Sequence, residues 1–256
     1  MASEQDDNLR GSVVRHLETD LLLGVRAAPL SPPTPGRGAA PPSRRVSAKE
    51  RAERKEALRA LDEQKVKRCT KCKLHQARTN TVFGQGEAAA RVVFVGEAPG
   101  HDEDMQGLAF VGRAGQLLTR MIEAMGLTRD EVFICNILKC RPPNNRDPAS
   151  DEVSSCWPYL DEQLRIIKPE VIVALGKPAA QTLLQTTEGI GRLRGHWHDY
   201  YPSGSPLVGK PTPLMPTYHP AYLLRSPGEK GKAWSDLKLV MAKLGLPIPQ
   251  RHNSSM

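Results

Sequence analysis

The sequence has 256 residues, of which 39% are hydrophobic, and its formal net charge is +8. No stretch approaches the ~20 apolar residues that a membrane-spanning helix needs, and the acidic segment Ser3 to Asn8 is not a secretory signal. We therefore expect a cytoplasmic protein without a membrane partner. Residues 1–46 contain six Lys/Arg and five Asp/Glu, so the rest of the chain carries +7 (30 − 23). This excess favours a polyanionic partner such as nucleic acid, although it could serve solubility alone.

The first 46 residues are predicted to lie outside the folded domain. Residues 31–44 are rich in proline, which predicts a flexible or polyproline-like linker. Within residues 9–25, apolar side chains recur every four residues, as in a short amphipathic helix: Leu9, Val13, Leu17 and Leu21. Such a helix could dock onto a protein partner, or it could be a marginal helix that frays in solution.

A highly charged helix is predicted over residues 47–68, and it leads to the first cysteines. The folded domain is then expected over residues 69–246, followed by a disordered tail over residues 247–256. Within this domain, residues 202–213 form a Pro/Gly-rich insertion between two predicted strands. The insertion could face DNA or be an inert excursion.

Four of the five cysteines are candidates for a metal centre. Cys69 and Cys72 form a tight pair, and Cys140 and Cys156 lie far downstream. Disulfides are disfavoured in the cytoplasm, and four thiolates suit either a structural zinc or a [4Fe-4S] cluster. A zinc ribbon repeats the tight pair, so the loose second pair favours the cluster. Cys135 lies in an apolar run and is predicted to be a core thiol.

Downstream of these cysteines, strands alternate with helices. Two apolar runs, Val92–Val95 and Val171–Leu175, are typical of central strands covered on both faces. This alternation predicts an α/β fold with three αβα layers and a central four-stranded parallel sheet. The other two strands are predicted at Val132–Asn136 and Pro213–Thr217, and the helices at Ala114–Met125, Asp151–Ile167, Lys177–Gln185 and Lys230–Leu244.

The segment between the first strand and its helix has an unusual composition. Six of the twenty residues from Gly96 to Gly115 are glycine or proline, so the backbone must bend tightly there. Ligands of parallel α/β sheets bind at the carboxyl ends of the strands. Glu97, Asn136 and His219 each lie at such an end, and we expect them to converge on one ligand.

Three segments, in this order, resemble the motifs of the type-4 uracil-DNA glycosylases, the iron–sulfur branch of that superfamily. They are Gly96–Gly115, Cys135–Arg146 and Tyr218–Arg225, and the resemblance covers roughly residues 69–244. It implies the uracil-DNA glycosylase fold and a monofunctional glycosylase that excises uracil from single- or double-stranded DNA. It also implies a monomer with a [4Fe-4S] cluster on Cys69, Cys72, Cys140 and Cys156.

The chemistry of three side chains suits uracil recognition. The amide of Asn136 can donate to uracil O4 and accept from N3–H, a pattern that cytosine reverses. Phe110 lies thirteen positions after Glu97, where the resemblance implies a ring that stacks on the flipped base. His219 precedes Pro220, which favours extended backbone, and it can bond to uracil O2 as negative charge develops there.

The remaining site residues are expected to act on water or on the base. Glu97 could orient or deprotonate the attacking water, or it could cap backbone amides. The resemblance implies that Asn145 assists with the water and that Glu103 excludes the 5-methyl group of thymine. Backbone groups of Ala98 and Gly100 are expected to touch the base.

DNA contacts are predicted in two places. Leu223, Leu224 and Arg225 could wedge into the gap left by a flipped base, or they could form the first turn of a core helix. Phosphate contacts are expected from five basic residues: Lys139, Arg141, Arg146, Arg192 and Arg194.

Two other functions remain open at this stage. One is a protein of the same fold that binds uracil-containing DNA without turnover or joins covalently to it. The segment Arg141–Pro148 is short and lacks histidine, which favours turnover. The other, an electron-transfer protein, is disfavoured because it leaves Asn136, Phe110 and His219 without a common purpose.

Overall fold

The structure is a computed structural model that describes residues 46–202 and 210–248. Several predictions therefore lie outside the described residues. They concern the helix of residues 9–25, the linker of residues 31–44, most of the insertion and most of the C-terminal tail.

The core of the domain is a six-stranded sheet with the strand order β1-β3-β2-β4-β6-β5. Its four central strands are parallel, and the short strand at each edge runs antiparallel to its neighbour. The strands are β1 (Gln85–Gly86), β2 (Val92–Gly96), β3 (Phe133–Asn136), β4 (Val171–Leu175), β5 (His198–Tyr200) and β6 (Thr212–Thr217).

Helices cover both faces of this sheet. Within the described residues they are α1 (Ala48–Leu61), α2 (His101–Gln106), α3 (Arg113–Ala124), α4 (Ser150–Ile167), α5 (Lys177–Leu184), α6 (Ile190–Leu193), α7 (Pro220–Arg225) and α8 (Lys230–Leu244). A π-helical turn (Asp62–Val66) extends α1, and three 3-10 turns lie at Lys73–Gln76, Pro143–Asn145 and Pro227–Glu229. None of the described helices has the length and apolar character needed to cross a membrane.

Alternate residues of each central strand enter different hydrophobic cores. Phe94 and Val173 pack in one core with side chains from α3, α7 and α8. Val93 and Ile172 pack in the other core with side chains from α1, α4, α5 and α6. Because side chains of a strand alternate between its two faces, this separation produces the three αβα layers.

The predicted fold class is confirmed, and the strand count is corrected from four to six. The four predicted strands are the parallel ones in the middle of the sheet. The edge strands β1 and β5 have two and three residues, too few for an alternating pattern to appear in the sequence. The predicted charged helix ends its regular α-helical part at Leu61.

Candidate active site and cysteine cavity

The predicted catalytic residues lie at one rim of the sheet because the parallel strands are in register. Gly96, the last residue of β2, pairs directly with Asn136, the last residue of β3. Glu97 follows β2 immediately, and β6 ends at Thr217, two residues before His219. The three strand ends therefore bring a carboxylate, an amide and an imidazole to the same edge.

Asn136 presents a buried amide that has no partner. Its side chain is 1% exposed, and both Oδ1 and Nδ2 are buried without a hydrogen bond to any part of the chain that the structure describes. A buried polar group without a partner costs ~1–3 kcal/mol, and such groups call for an explanation in a native structure. An approaching ligand with one donor and one acceptor would satisfy both atoms.

The absence of a side chain at Gly96 keeps the space beside this amide open. A Cβ atom at position 96 would collide with Oδ1 of Asn136 and with the ring of Phe110. The same three residues therefore border one small space. Phe110 and Asn136 are thus neighbours, as a ring and an amide that contact the same ligand must be.

Phe110 adopts a strained backbone conformation. Its φ is 54°, in the left-handed region that costs non-glycine residues ~1–3 kcal/mol. A Cβ atom at Gly115 would overlap the carbonyl oxygen of Phe110, so a glycine is needed there. Arg129 donates to the carbonyl of Ala109 at 2.8 Å and helps to hold this backbone in place.

The carboxylate of Glu103 is occupied by the backbone of the same loop. It accepts hydrogen bonds from the N–H groups of Gly100, Val111 and Gly112, at 3.1, 2.9 and 3.1 Å. The carboxylate thereby fastens the start of α2 to the backbone after Phe110, and the expected exclusion of the thymine methyl group by Glu103 stays a prediction.

The backbone of Gly100 is also committed. Its N–H donates to Glu103, and its carbonyl accepts from the N–H of Asp104 at 3.0 Å. The N–H is therefore not available to a base, and a contact through the carbonyl of Gly100 stays a prediction. Ala98 is partly buried against the second core, and its predicted contact with a base stays a prediction.

His219 is held as a neutral imidazole. The N–H of Ala221 donates to Nδ1 at 3.1 Å, which leaves the ring proton on Nε2. Burial lowers the pKa of His219 to about 4, and the positive charge of Arg225 acts in the same direction. The ring is therefore a hydrogen-bond donor at Nε2 at neutral pH.

Glu97 lies half-buried at the same rim. Burial raises the pKa of its carboxyl group, and the negative charge of Asp147 adds to this effect. A carboxylate with a raised pKa is a better proton acceptor, which suits a group that activates water.

Asn145 lies on an exposed 3-10 turn after β3. Its φ is 53°, and its Oδ1 accepts a hydrogen bond from Nε of Arg141 at 2.7 Å. The same guanidinium lies 3.0 Å from Nδ1 of His101, at the start of α2. Arg141 therefore links the two loops that follow β2 and β3.

For Leu223, the structure favours the alternative of a core helix over a DNA wedge. Leu223 is 0% exposed and packs in the first core, so its side chain has no access to DNA. Leu224 is partly buried against the same core, whereas Arg225 is exposed. The exposed apolar residue of α7 is Tyr222, whose ring is 37% exposed and lies 5.0 Å from the ring of Tyr218.

Three residues predicted to contact phosphates form hydrogen bonds or ion pairs with other parts of the protein. Arg194 bonds through two nitrogens to Asp236, and its side chain is 16% exposed. Arg146 pairs with Glu152 at 2.5 Å, although 45% of its side chain is exposed. Lys139 is 1% exposed, which excludes it as a surface contact. Exposed Arg192 and partly buried Arg141 stay candidates for phosphates.

The four candidate ligand cysteines line one small cavity. Cys69, Cys72, Cys140 and Cys156 border it together with Arg78 and other side chains. The sulfur of Cys140 accepts from Arg78 at 3.1 Å, and that of Cys156 accepts from the N–H of residue 139 at 3.3 Å. Such donors stabilise thiolates that bind metal. Cys135 is separate and buried, as predicted for a core thiol.

Four cysteine thiols are the donor set of either a structural zinc or a [4Fe-4S] cluster. Among residues 46–202 and 210–248, the side chains as they stand do not form a group of three His, Cys, Asp or Glu around one ion. The residues that line the cavity therefore fit a cluster by their chemistry, as they fit zinc.

Comparison with known proteins assigns the chain to a family. The sequence profile of the uracil DNA glycosylase superfamily matches residues 83–238, more than half of the chain. The chain belongs to the uracil DNA glycosylase superfamily. The matched residues include Asn136 and His219, whereas Cys69 and Cys72 lie before them.

Curated relatives place the chain among the type-4 uracil-DNA glycosylases. It is 46% identical to the type-4 uracil-DNA glycosylase of Thermotoga maritima, over 67% of this chain and 86% of that protein. It is 43% identical to that of Archaeoglobus fulgidus, over 75% of this chain and 97% of that protein. It is 46% identical to that of Saccharolobus solfataricus, over 63% of this chain and 75% of that protein. The family predicted from the three motifs is confirmed.

The sequence alone did not identify several residues that shape this glycosylase site. The sequence indicates backbone bends at Gly96 and Gly115, but the spacing of the glycines does not reveal which side chains they approach. Arg129 lies in a short connection after α3 without any motif around it. The exposure of Tyr222 could not be predicted, because a six-residue helix is too short for its pattern to show which apolar side chain is exposed.

Proposed function

We propose that this protein removes uracil from DNA by hydrolysing the N-glycosidic bond of a flipped deoxyuridine, which leaves an abasic site. The observation that carries the proposal is the buried amide of Asn136, whose Oδ1 and Nδ2 both lack a partner among the described residues. Membership of the uracil DNA glycosylase superfamily supports the same conclusion.

In this proposal, Asn136 reads the edge of the base. Its Nδ2 donates to O4 of uracil, and its Oδ1 accepts from N3–H. Cytosine has an amino group in place of O4 and an unprotonated N3, so both contacts would be mismatched. Because the amide is buried, no water can repair such a mismatch, and discrimination follows.

Phe110 supports the face of the base, and His219 stabilises the departing base. The Nε2–H of His219 donates to O2 of uracil, where negative charge grows as the glycosidic bond breaks. A neutral donor keeps its proton, because the bond from Ala221 to Nδ1 fixes the tautomer. The ring of Phe110, in contact with the same space, stacks on the base.

Glu97 and Asn145 act on the attacking water. Glu97 accepts the proton of the water or orients it toward the sugar, and its raised pKa suits proton transfer. Asn145 supplies a second polar contact from the loop after β3. Glycosylases that also cleave the strand need a free amine. The lysine of the second motif, Lys139, is 1% exposed and cannot reach the sugar, so a monofunctional reaction is favoured.

In this proposal, DNA binds at the surface beside this rim of the sheet. We assign the contact with neighbouring bases to Tyr222, since its exposed ring on α7 can stack on a base. Arg225 on the same helix, with Arg141 and Arg192, would contact phosphates. The burial of Leu223 supports this choice of Tyr222.

Cys69, Cys72, Cys140 and Cys156 would hold a [4Fe-4S] cluster. When bound, the cluster joins the segment before β1 to α4, which carries Cys156, and so contributes to folding. Protein purified without oxygen should be yellow-brown and contain about four irons for each chain. Stoichiometric zinc without iron would refute this part of the proposal.

A glycosylase assay tests the proposed reaction. The purified protein is incubated with single- and double-stranded oligonucleotides that contain one uracil, and alkali then cleaves any abasic site. Cleavage at the uracil is expected, and its absence on both substrates would refute the activity. A denaturing gel without alkali tests the alternative, because a stable protein–DNA adduct would indicate covalent binding without turnover. Hypoxanthine and cytosine substrates define the range of bases.

A further inference from the structure

Lys139 is a buried lysine that the proposed reaction does not use. Its side chain is 1% exposed, and its Nζ donates to the backbone carbonyl of Asn136 at 2.7 Å. A second bond runs from Nζ to Oε1 of Gln163 on α4, at 2.6 Å. Gln163 is itself fully buried and donates to the carbonyl of Phe83 at 2.9 Å. The ammonium is thus fixed between the end of β3 and α4.

No carboxylate in the described parts of the chain forms an ion pair with this ammonium. The two acceptors of its Nζ, the backbone carbonyl of Asn136 and the side chain of Gln163, are neutral groups. An uncompensated charge in a protein interior carries a large desolvation penalty, so buried lysines are normally paired. The charge of Asp62 acts on Lys139, but that carboxylate pairs with Lys67 rather than with this ammonium. A further negative group beside Lys139 would complete the compensation.

The cysteine cavity offers a place for such a group. Lys139 lines this cavity, and its backbone N–H donates to the sulfur of Cys156 at 3.3 Å. Lys139 also immediately precedes Cys140, and Arg78 donates to the sulfur of Cys140 at 3.1 Å. Two cationic side chains, Arg78 and Lys139, therefore border the four cysteines.

The charge of a cluster matches these cations. An oxidised [4Fe-4S] core carries two positive charges, and four cysteine thiolates add four negative charges, so the whole carries about −2. One ammonium and one guanidinium balance this charge. Zinc with four thiolates would carry the same charge, and the iron content of the protein distinguishes the two.

We propose that Lys139 is a positioning residue that acts as a buried counter-ion of the cluster and, through its bond to the carbonyl of Asn136, fixes the base-reading amide. The inference rests on the proposed function and on the proposed cluster. It makes the end of β3 dependent on the cluster: the charge that holds Lys139 in place also holds the residue that reads uracil.

The reduction potential of the cluster reports the counter-ion role, because a nearby positive charge favours the reduced cluster. Lys139→Met removes this charge, and the midpoint potential should shift to a more negative value than in the parent protein. Gln163→Glu tests the same electrostatic effect without removing the lysine, because the new carboxylate lies against the ammonium and offsets its positive charge. It should also shift the potential to a more negative value. Gln163→Leu is the matched control, and its potential should remain that of the parent.

Uracil release reports the positioning role. In Lys139→Met molecules that retain their iron, kcat for uracil release should fall at least tenfold, and the preference for uracil over cytosine should narrow. Lys139→Arg, which keeps a cation and donors, should restore the potential and part of the rate. If Lys139→Met does not retain iron, the comparison of Gln163→Glu with Gln163→Leu decides the counter-ion role.

The outcomes separate this inference from the proposed function. A parent-like potential in iron-loaded Lys139→Met, or in Gln163→Glu, would overturn the counter-ion role. A shifted potential with parent-like uracil kinetics would overturn the link to Asn136. A parent protein that releases uracil but contains no iron would overturn the inference and leave the activity intact. A parent protein with the cluster but without uracil release would refute the activity, while the potentials would still test the counter-ion.

Discussion

The ring of Phe110 lies 5.7 Å from the ring of His219, centroid to centroid, with an angle of 34° between their planes. The two residues are 109 positions apart in the sequence (219 − 110): one lies between α2 and α3 and the other immediately before α7. Their contact joins the group proposed to stack on the base to the group proposed to stabilise its departure. A change in the Phe110 loop should therefore also affect His219.

Replacement of Asn136 should alter base selectivity. Asn136→Asp keeps an acceptor but loses the donor to uracil O4, and loss of a buried bond costs ~1–3 kcal/mol, or ~5- to 150-fold in rate. The same change could admit cytosine, whose amino group donates. The ratio of uracil to cytosine excision should therefore fall, as measured with matched oligonucleotides. Phe110→Ala should slow both bases alike and serves as the control. An unchanged ratio in Asn136→Asp would make this residue a scaffold residue.

Gly96→Ala should abolish uracil release because a Cβ atom there collides with Asn136 and Phe110. We expect a loss of at least ~10²-fold in kcat/KM, together with a destabilisation of ~1–3 kcal/mol from overpacking. Activity assays and urea denaturation measure the two effects. Gly189→Ala is the control, because a Cβ atom at Gly189 meets no atom within 4 Å. If Gly96→Ala kept full activity, the space beside Asn136 would not be the base site.

The stability of the protein should fall with acidity because of His219. Its pKa is about 4 in the folded protein, against an ordinary value of 6.5 for a histidine exposed to water. As the pH falls through about 6.5, the unfolded chain binds a proton that the folded chain refuses, so the stability contributed by the neutral ring declines. The decline ends below about pH 4, where both states are protonated. Urea denaturation of the parent and of His219→Gln, at several values of pH from 7 to 4, measures this slope.

The free energy of unfolding of His219→Gln should depend less on pH than that of the parent, over the same range from pH 7 to 4. Carboxyl groups titrate in both proteins, so the difference between the two curves isolates the histidine. Identical curves would show that the ring is accessible to protons in the folded protein.

Tyr222 and Leu223 should respond to replacement in opposite ways. Tyr222→Ala removes an exposed ring, so it should weaken DNA binding and uracil release while leaving the free energy of unfolding nearly unchanged. Base–aromatic stacking contributes ~1–3 kcal/mol, which corresponds to ~5- to 150-fold in affinity. Leu223→Ala empties a core position and should destabilise the protein by ~2–5 kcal/mol. Fluorescence anisotropy with labelled DNA and urea denaturation give the two readouts. Weaker DNA binding by Leu223→Ala in its folded form would restore the original assignment.

The order of the central elements could be predicted from the sequence because strands β2 and β4 are continuously apolar and each parallel strand precedes a helix. The position of Glu97, Asn136 and His219 followed from the strand ends. The edge strands could not be predicted, since two or three residues carry no periodic signal. The hydrogen bonds of Glu103 and the ion pair of Arg194 could not be predicted either, because they depend on partners that the tertiary structure brings close.

The burial of Lys139 could not be predicted, and that of Leu223 stayed open, for a related reason. A short helix and a loop after a strand do not reveal which side chain turns inward, and charge suggested that Lys139 would be exposed. Recognition of the motifs supplied the roles of the site residues, whereas the structure supplied the orientation of each side chain.

The Pro/Gly-rich connection between β5 and β6 joins the sheet at the end remote from the chemistry. Tyr200 pairs with Thr212, the first residue of β6, whereas His219 follows the other end of that strand. The six residues of β6 separate these ends by about 20 Å, at ~3.3 Å for each residue. Peptide tags, fluorescent modules or new chain termini are therefore best introduced at this connection, where the catalytic rim should tolerate them.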